Sequence, residues 1–134
     1  MHPYVQAISN LYAAFGRQDI PGILAQLAED IEWEYGPNAT DVPWLQHRRG
    51  HAGAAEFFAV LGRELEFRRF DIHGLLHEGR TVVALVDAEL FVKRSGKLLR
   101  EADEAHIWHF GEHGRVVRFK HATDTLAHLR AWQI

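Results

Sequence analysis

The segment from Thr81 to Lys93 alternates without a break. Val82, Ala84, Val86, Ala88, Leu90 and Val92 share one face, while Val83, Leu85, Asp87, Glu89 and Phe91 share the other. A helix would scatter both sets around its circumference, so this is a strand with one wholly apolar face that has to be covered. Turn signals flank it: Gly79 leads in from an alternating run, Phe70 to His77, and Ser95-Gly96 leads out into Leu98 to Phe110. A further turn at Gly111-Glu112-His113-Gly114 leads into Arg115 to Thr123. Long strands joined by tight turns make an antiparallel meander, and strand twist makes such a sheet curl.

The cover comes from the first half of the chain. Val5, Ile8, Leu11, Tyr12 and Phe15 recur at helical spacing between Pro3 and Gly16. Asp19 is placed to cap a second helix whose apolar face is Ile20, Ile23, Leu24 and Leu27, with Pro21 in its first turn. Ile31, Trp33 and Tyr35 alternate with Glu32 and Glu34 as a strand that Gly36 and Pro37 end. A loop-like stretch containing Pro43 and Trp44 runs to Gly50, and loops of this length often form binding or lid segments. Ala54, Phe57, Phe58, Leu61 and Leu65 then mark a third helix, and Asp124 caps a short last one carrying Leu126, Leu129 and Trp132. The fold class expected is α+β: a single domain spanning 1–134, with three N-terminal helices laid into the concave side of a strongly curved antiparallel sheet. Such a cone leaves a mouth at one end.

Composition narrows the function. With 134 residues the chain can bury a core without staples, and with no cysteine it has no disulfide, thiolate nucleophile or thiolate metal site. The formal charge of -3, with only the short basic pairs Arg48-Arg49 and Arg68-Arg69, argues against nucleic-acid binding. The first ten residues lack the pattern of a secretory signal and no apolar run is long enough to span a bilayer, so the expected location is the cytoplasm, away from the membrane. Ten histidines are left to explain.

Several fragments resemble one superfamily in order. They run from Tyr12-Ala13-Ala14-Phe15 through Asp19-Ile20-Pro21-Gly22 to Leu27-Ala28-Glu29-Asp30-Ile31-Glu32-Trp33. Arg49-Gly50-His51 before Ala55-Glu56-Phe57-Phe58 follows, and then Gly114-Arg115-Val116-Val117-Arg118-Phe119 leading to Thr123-Asp124-Thr125. Together they are similar to the nuclear-transport-factor-2-like (NTF2-like) superfamily, in particular its SnoaL-like and ketosteroid-isomerase-like members, over essentially the whole chain. The resemblance implies the cone-shaped fold and a hydrophobic pocket. The fold hosts isomerases, epoxide hydrolases, cyclases, dehydratases and plain binders, so it does not choose the chemistry.

The steroid-isomerase constellation, an Asp base and a Tyr/Asp oxyanion pair, maps by resemblance onto Tyr35, Leu11 and His106, with Tyr12 one position from Leu11 and about 100° around the helix. None is kept in kind. The epoxide-hydrolase Asp–Arg–Asp arrangement maps onto His121 and onto Asp87-x-Glu89, where the positions stay polar but the residue types change. Neither mechanism carries over.

The catalytic candidates are therefore His106, His121, Asp87 and Glu89. His106 lies between Glu104 and Trp108 on one strand face, and a neighbouring carboxylate orients an imidazole for general acid/base work. A hydrogen-bonded structural histidine is the competing account. His121 shares a face with Phe119 and Thr123, at the place where relatives keep an acid. Asp87 and Glu89 point into the pocket if their strand face is concave, and into water or a dimer seam if it is convex. Trp33, Tyr35, Phe58, Trp108 and Phe119, with Tyr12, Glu104 and Thr123, are the expected ligand-binding lining for an apolar or aromatic molecule.

No metal site is expected within a strand. His73 and His77 stand about 13 Å apart, His106 and His109 face opposite ways, and His47 and His51 straddle no zinc motif. A cross-strand His106/His121/Glu89 group is the remaining arrangement. No cofactor is called for. His128, with His2, His47, His51, His77 and His113, is expected at the surface.

The reading is a cofactor-independent small-molecule protein acting by acid/base catalysis, an isomerase, cyclase or hydrolase. The alternatives are a non-catalytic ligand-binding domain and a structural homodimer joined through the Val82 to Val92 face, unless that face packs on the helices.

Overall fold

A computed structural model describes residues 1–36 and 40–134, so the expectation for Pro37 lies outside the described residues. Helix α1 (Pro3–Gly16) begins where the His2 side chain accepts from the backbone N–H of Tyr4 and proline occupies the first turn. Asp19 caps the short α2 (Ile20–Leu24) by accepting from the N–H of Gly22 at 3.0 Å. Strand β1 (Leu27–Trp33) and the two-residue β2 (Arg48–Arg49) follow, then α3 (Gly50–Glu64). The chain passes directly into β3 (Leu65–Glu78), β4 (Thr81–Val92), β5 (Lys97–Phe110) and β6 (Val116–Ala122), and ends in α4 (Thr125–Trp132).

Among the described residues, six strands form one curved, open sheet in the order β2-β1-β6-β5-β4-β3. The meander is antiparallel as expected, but β1 runs parallel to β6, a correction to the all-antiparallel sheet. Alternation assigns faces and not strand direction, and β6 reaches β1 only after the rest of the chain has crossed between them. β1 also begins at Leu27 instead of Ile31, because its register shifts between Leu27 and Glu32 and the burial pattern loses its period of two. Leu65, placed in the third helix by its spacing, is the first residue of β3. A fourth, C-terminal helix joins the three N-terminal ones.

The apolar face of β4 is buried along its whole length, with Val82, Ala84, Val86 and Val92 all fully out of water. Together with α1 and α3 it encloses the core, at whose centre Trp33, Trp108 and Phe119 meet with ring centroids 4.2 to 5.9 Å apart. Burying each such ring contributes roughly 2–3 kcal/mol. This face is therefore core and not a dimer surface, which corrects the expectation that it joins two copies. It also decides the fate of the alternating residues, Asp87 and Glu89, which point to the other side.

Candidate functional site

Strands β5 and β6 hold the polar heart of the molecule. A β-bulge places both Ala102 and Asp103 opposite Asp87, where Asp103 adopts a left-handed φ of 58°. The bulge resets the phase, so Glu101 and Glu104, three apart, both face inward, followed by His106, Trp108 and Phe110. Strict alternation finds the Glu104, His106, Trp108 and Phe110 set and misses Glu101.

His106 is buried beside α1. Its Nδ1 lies 2.5 Å from the Tyr12 hydroxyl and its Nε2 lies 2.5 Å from Oε1 of Glu104. The Trp108 indole N–H donates to the Tyr12 oxygen at 3.1 Å, which leaves that hydroxyl free to donate to His106. Burial pushes the His106 pKa down, outweighing the Glu104 carboxylate that favours its charged form. Burial also lifts the Tyr12 hydroxyl well above the usual phenol range, against the pull of the Trp108 hydrogen bond. For Glu104 burial works against the charge, yet the hydrogen bond from His106 and the fields of His121, His106 and His128 hold its carboxyl at about 2. Tyr12–His106–Glu104 is thus a neutral phenol, a neutral imidazole and a carboxylate in series.

His121 is paired with His106 across the β5–β6 ladder, and the two rings stand edge to face with centroids 4.7 Å apart. Glu34 accepts from both Nδ1 and the backbone N–H of His121. Burial opposes the His121 charge, but the Glu34 carboxylate, with Glu104 and Glu101 beyond it, overcomes that and raises the pKa. Sequence alternation puts Glu34 outside and Tyr35 inside. The structure reverses them because β1 stops at Trp33 and Glu34 takes a left-handed φ of 57°, turning its carboxylate inward.

A second buried cluster lies beside the first. The Trp44 indole N–H donates to Nδ1 of His128 at 2.9 Å, so that nitrogen serves as an acceptor. Its Nε2–H then donates to Glu101 at 2.7 Å, and Glu101 also accepts from the backbone of Asp124 and from Thr123. Thr123 bridges the clusters through Oε2 of Glu104 at 3.0 Å. His128, 3% exposed, is the one histidine whose expected surface position is plainly overturned. α4 buries His128 and Ala131 against β5 and leaves Leu126 54% exposed, a different face from the one its leucines suggest. Trp44, Glu34, Glu101 and His128 are the members that sequence reasoning missed; the loop-like stretch around Trp44 and the capping Asp124 were the local signals near them.

A narrow cavity of about 60 Å³ sits against these groups. Of the expected lining, Tyr12, Trp33, Phe58, Glu104, His106, Trp108, Phe119 and His121 border it. Thr123 does not, and acts through Glu101 and Glu104 instead. Tyr35 does not either: its hydroxyl bonds Nε2 of His109 at 2.8 Å and the Arg118 guanidinium covers its ring, away from the cavity. Asp87 and Glu89 are removed from the candidate site. On the outer face Asp87 meets His73 and the N–H of Asp103, and Glu89 meets Arg100.

Among the described residues, Glu104/His106/His121, Glu101/Glu104/His128 and His73/Asp87/Asp103 bring ligand-type atoms close enough to share an ion. The inner groups use Glu104 where the sequence suggested Glu89. Their contacts are those of hydrogen-bonded pairs, which satisfy the buried polar atoms from within the protein. Next to the cavity, and sharing part of its lining, lies an open groove of about 1190 Å³ between α1, α3 and β3.

No curated protein matches the chain in sequence. Among solved structures, an NTF2-like protein of unknown function from Burkholderia pseudomallei is similar at TM-score 0.86 and 25% identity over 100% of both chains. An NTF2-like protein from Burkholderia thailandensis is similar at 0.84 and 28%, also over 100% of both. TerC, co-crystallised with polyporic acid, is similar at 0.79 and 28% over 94% of this chain and 95% of its own. The SnoaL-like domain model matches residues 8–119, so the chain belongs to the SnoaL-like family.

Proposed function

We propose that the protein binds a small, largely apolar carbonyl compound with its reacting end in the inner cavity and moves a proton on it without a cofactor. One observation carries this reading: two histidines in edge-to-face contact border the same cavity, with environments that push their pKa values in opposite directions. Such a split assigns an acid and a base. His121, held protonated by Glu34, is the acid that polarises the ligand oxygen. Tyr12, backed by His106 and Glu104, is the accepting side. As the proton leaves the carbon next to the carbonyl for the Tyr12 oxygen, the hydroxyl proton passes to Nδ1 of His106, and Glu104 stabilises the imidazolium formed. The C–H electron pair becomes the enolate, whose oxygen takes a hydrogen bond from His121. That TerC, a similar chain, was co-crystallised with polyporic acid supports a small-molecule-binding role.

The test is hydrogen–deuterium exchange at the carbon beside the carbonyl of cyclohexanone and 2-tetralone, followed by NMR in heavy water. Exchange above the buffer rate that falls at least tenfold in His121→Asn and in Tyr12→Phe supports the proposal. Binding without exchange makes the protein a non-catalytic binder.

For the homodimer, the surface moves to the outer face. There Leu76, Val83 and Ile107 lie side by side in register, Leu85 is two residues along the same strand, and Leu76 is 57% exposed. Sedimentation of Val83→Glu against the native chain tests it.

A further inference from the structure

Two N–H groups on side chains that border the cavity have no acceptor among the described residues. The indole Nε1 of Trp33 is buried, in a side chain only 1% exposed that borders the cavity, and has no hydrogen-bond partner among the described residues. A buried N–H left unpaired costs about 1–3 kcal/mol, so an orphan of this kind needs an acceptor from whatever fills the space beside it. On His121, Nδ1 is committed to Glu34, and Nε2 has no partner among the described residues. Phe119 packs against both rings, with its centroid 4.2 Å from that of Trp33 and 4.5 Å from that of His121, so the two side chains share one neighbourhood of the cavity lining.

The space is uneven. The inner cavity of about 60 Å³ is well below the roughly 300–1,000 Å³ of a pocket that swallows a drug-sized ligand. The groove beside it measures about 1190 Å³ and shares Tyr12, Phe15, Phe58, Leu61, Phe67 and Phe70 with the inner lining, so the two adjoin across these side chains. No charged side chain borders the groove among the described residues, its polar side chains being Ser9, Tyr12 and Gln18. At its rim Phe67 and Ile72 each keep 36% of their surface in water, apolar area with nothing from the described chain to cover it.

We infer that the ligand is an elongated amphipathic molecule whose acceptor oxygen, carbonyl or carboxylate, enters first to meet Nε1 of Trp33 and Nε2 of His121, while its apolar tail lies along the groove between α1, α3 and β3. This rests on the binding part of the proposed function and adds the shape and polarity of the ligand. It makes Trp33 a binding residue in its own right.

The experiment measures binding of 2-alkanones of 6, 8, 10 and 12 carbons, the matching fatty carboxylates and the matching alkylammonium ions to the native chain. The indole N–H resonances are followed at the same time in protein labelled with nitrogen-15. Affinity should rise about tenfold for each two methylenes added, and the Trp33 resonance should move downfield with ketone or carboxylate. Preference between those two tells a neutral head from an anionic one. Trp33→Phe keeps the ring and loses the donor, and should weaken the ketone about tenfold. Phe67→Glu, at the exposed rim, should weaken the 12-carbon ketone more than the 6-carbon one, which keeps the inference testable if Trp33→Phe does not fold. Affinity flat with chain length, alkylammonium binding as tight as ketone, or an unmoved Trp33 resonance overturns it. Chain-length-dependent binding without proton exchange sinks the catalytic proposal alone, and exchange of cyclohexanone without chain-length dependence sinks this inference alone.

Discussion

Replacing Glu34 by Gln isolates the charge that sets His121 apart from His106. The carboxylate accepts from Nδ1 and, at 3.1 Å, from the backbone N–H of His121, and the two side chains are only 10% and 14% exposed. Gln keeps the shape and an acceptor oxygen, so packing is preserved and the charge alone is lost. In the native protein burial opposes the His121 charge, but Glu34 outweighs it, so the folded pKa lies above the unfolded one. A histidine raised on folding contributes stability that is fully present below the unfolded pKa of about 6.5 and is lost as pH rises through the folded value. In Glu34→Gln burial meets far less opposition, the folded pKa drops below about 6.5, and stability is instead lost as pH falls. The two stability curves therefore diverge toward acid. Losing a charge-assisted hydrogen bond costs about 2 kcal/mol. Each pH unit below 6.5 adds up to about 1.4 kcal/mol, hence about 2 more by pH 5. The expected difference is roughly 4 kcal/mol at pH 5 and about 1 kcal/mol above the histidine range. Urea denaturation followed by circular dichroism from pH 5 to 8.5 measures it, and NMR titration of the His121 ring reports the pKa directly. A difference that is constant with pH, or that grows toward alkali, refutes the assignment of His121 as the protonated member.

Glu104, held at about 2, contributes stability that is present above its ordinary 4.5 and lost as pH falls toward 2, about 3 kcal/mol in all. Glu104→Gln should flatten that acid limb in pH-jump unfolding. Trp44→Phe leaves Nδ1 of buried His128 without its donor and should cost about 1–3 kcal/mol by chemical denaturation. Gln18 is exposed with a left-handed φ of 58°, so Gln18→Gly should stabilise the chain by about 1 kcal/mol and raise its melting temperature by a few degrees. A Cβ at Gly111 would stand 2.7 Å from a Val117 methyl, and Gly111→Ala should lower stability by about 1–3 kcal/mol in the same assay.

The sequence by itself determined the elements whose pattern is local and regular. The apolar face of β4, the turn at Ser95-Gly96, the caps at Asp19 and Asp124 and the Pro3–Gly16 helix all follow from spacing that neighbouring residues impose on one another. The two-residue period sorts His106 with Glu104 and Trp108 and His121 with Phe119, the family resemblance makes both faces inner, and the two strands pair these histidines there. The tertiary structure decided what depends on a break in that period or on a distant partner. The left-handed residues Glu34 and Asp103 each shift the phase of a strand by one position, bringing Glu34 and Glu101 inward and leaving Tyr35 outside. Whether Asp87 and Glu89 meet ligand or water turned on which face of β4 the helices cover, and that is settled by burying six apolar residues in preference to two carboxylates. The parallel β1–β6 pair, and the burial of His128 by Trp44 from a loop far back in the chain, are long-range contacts of which no local window carries a trace.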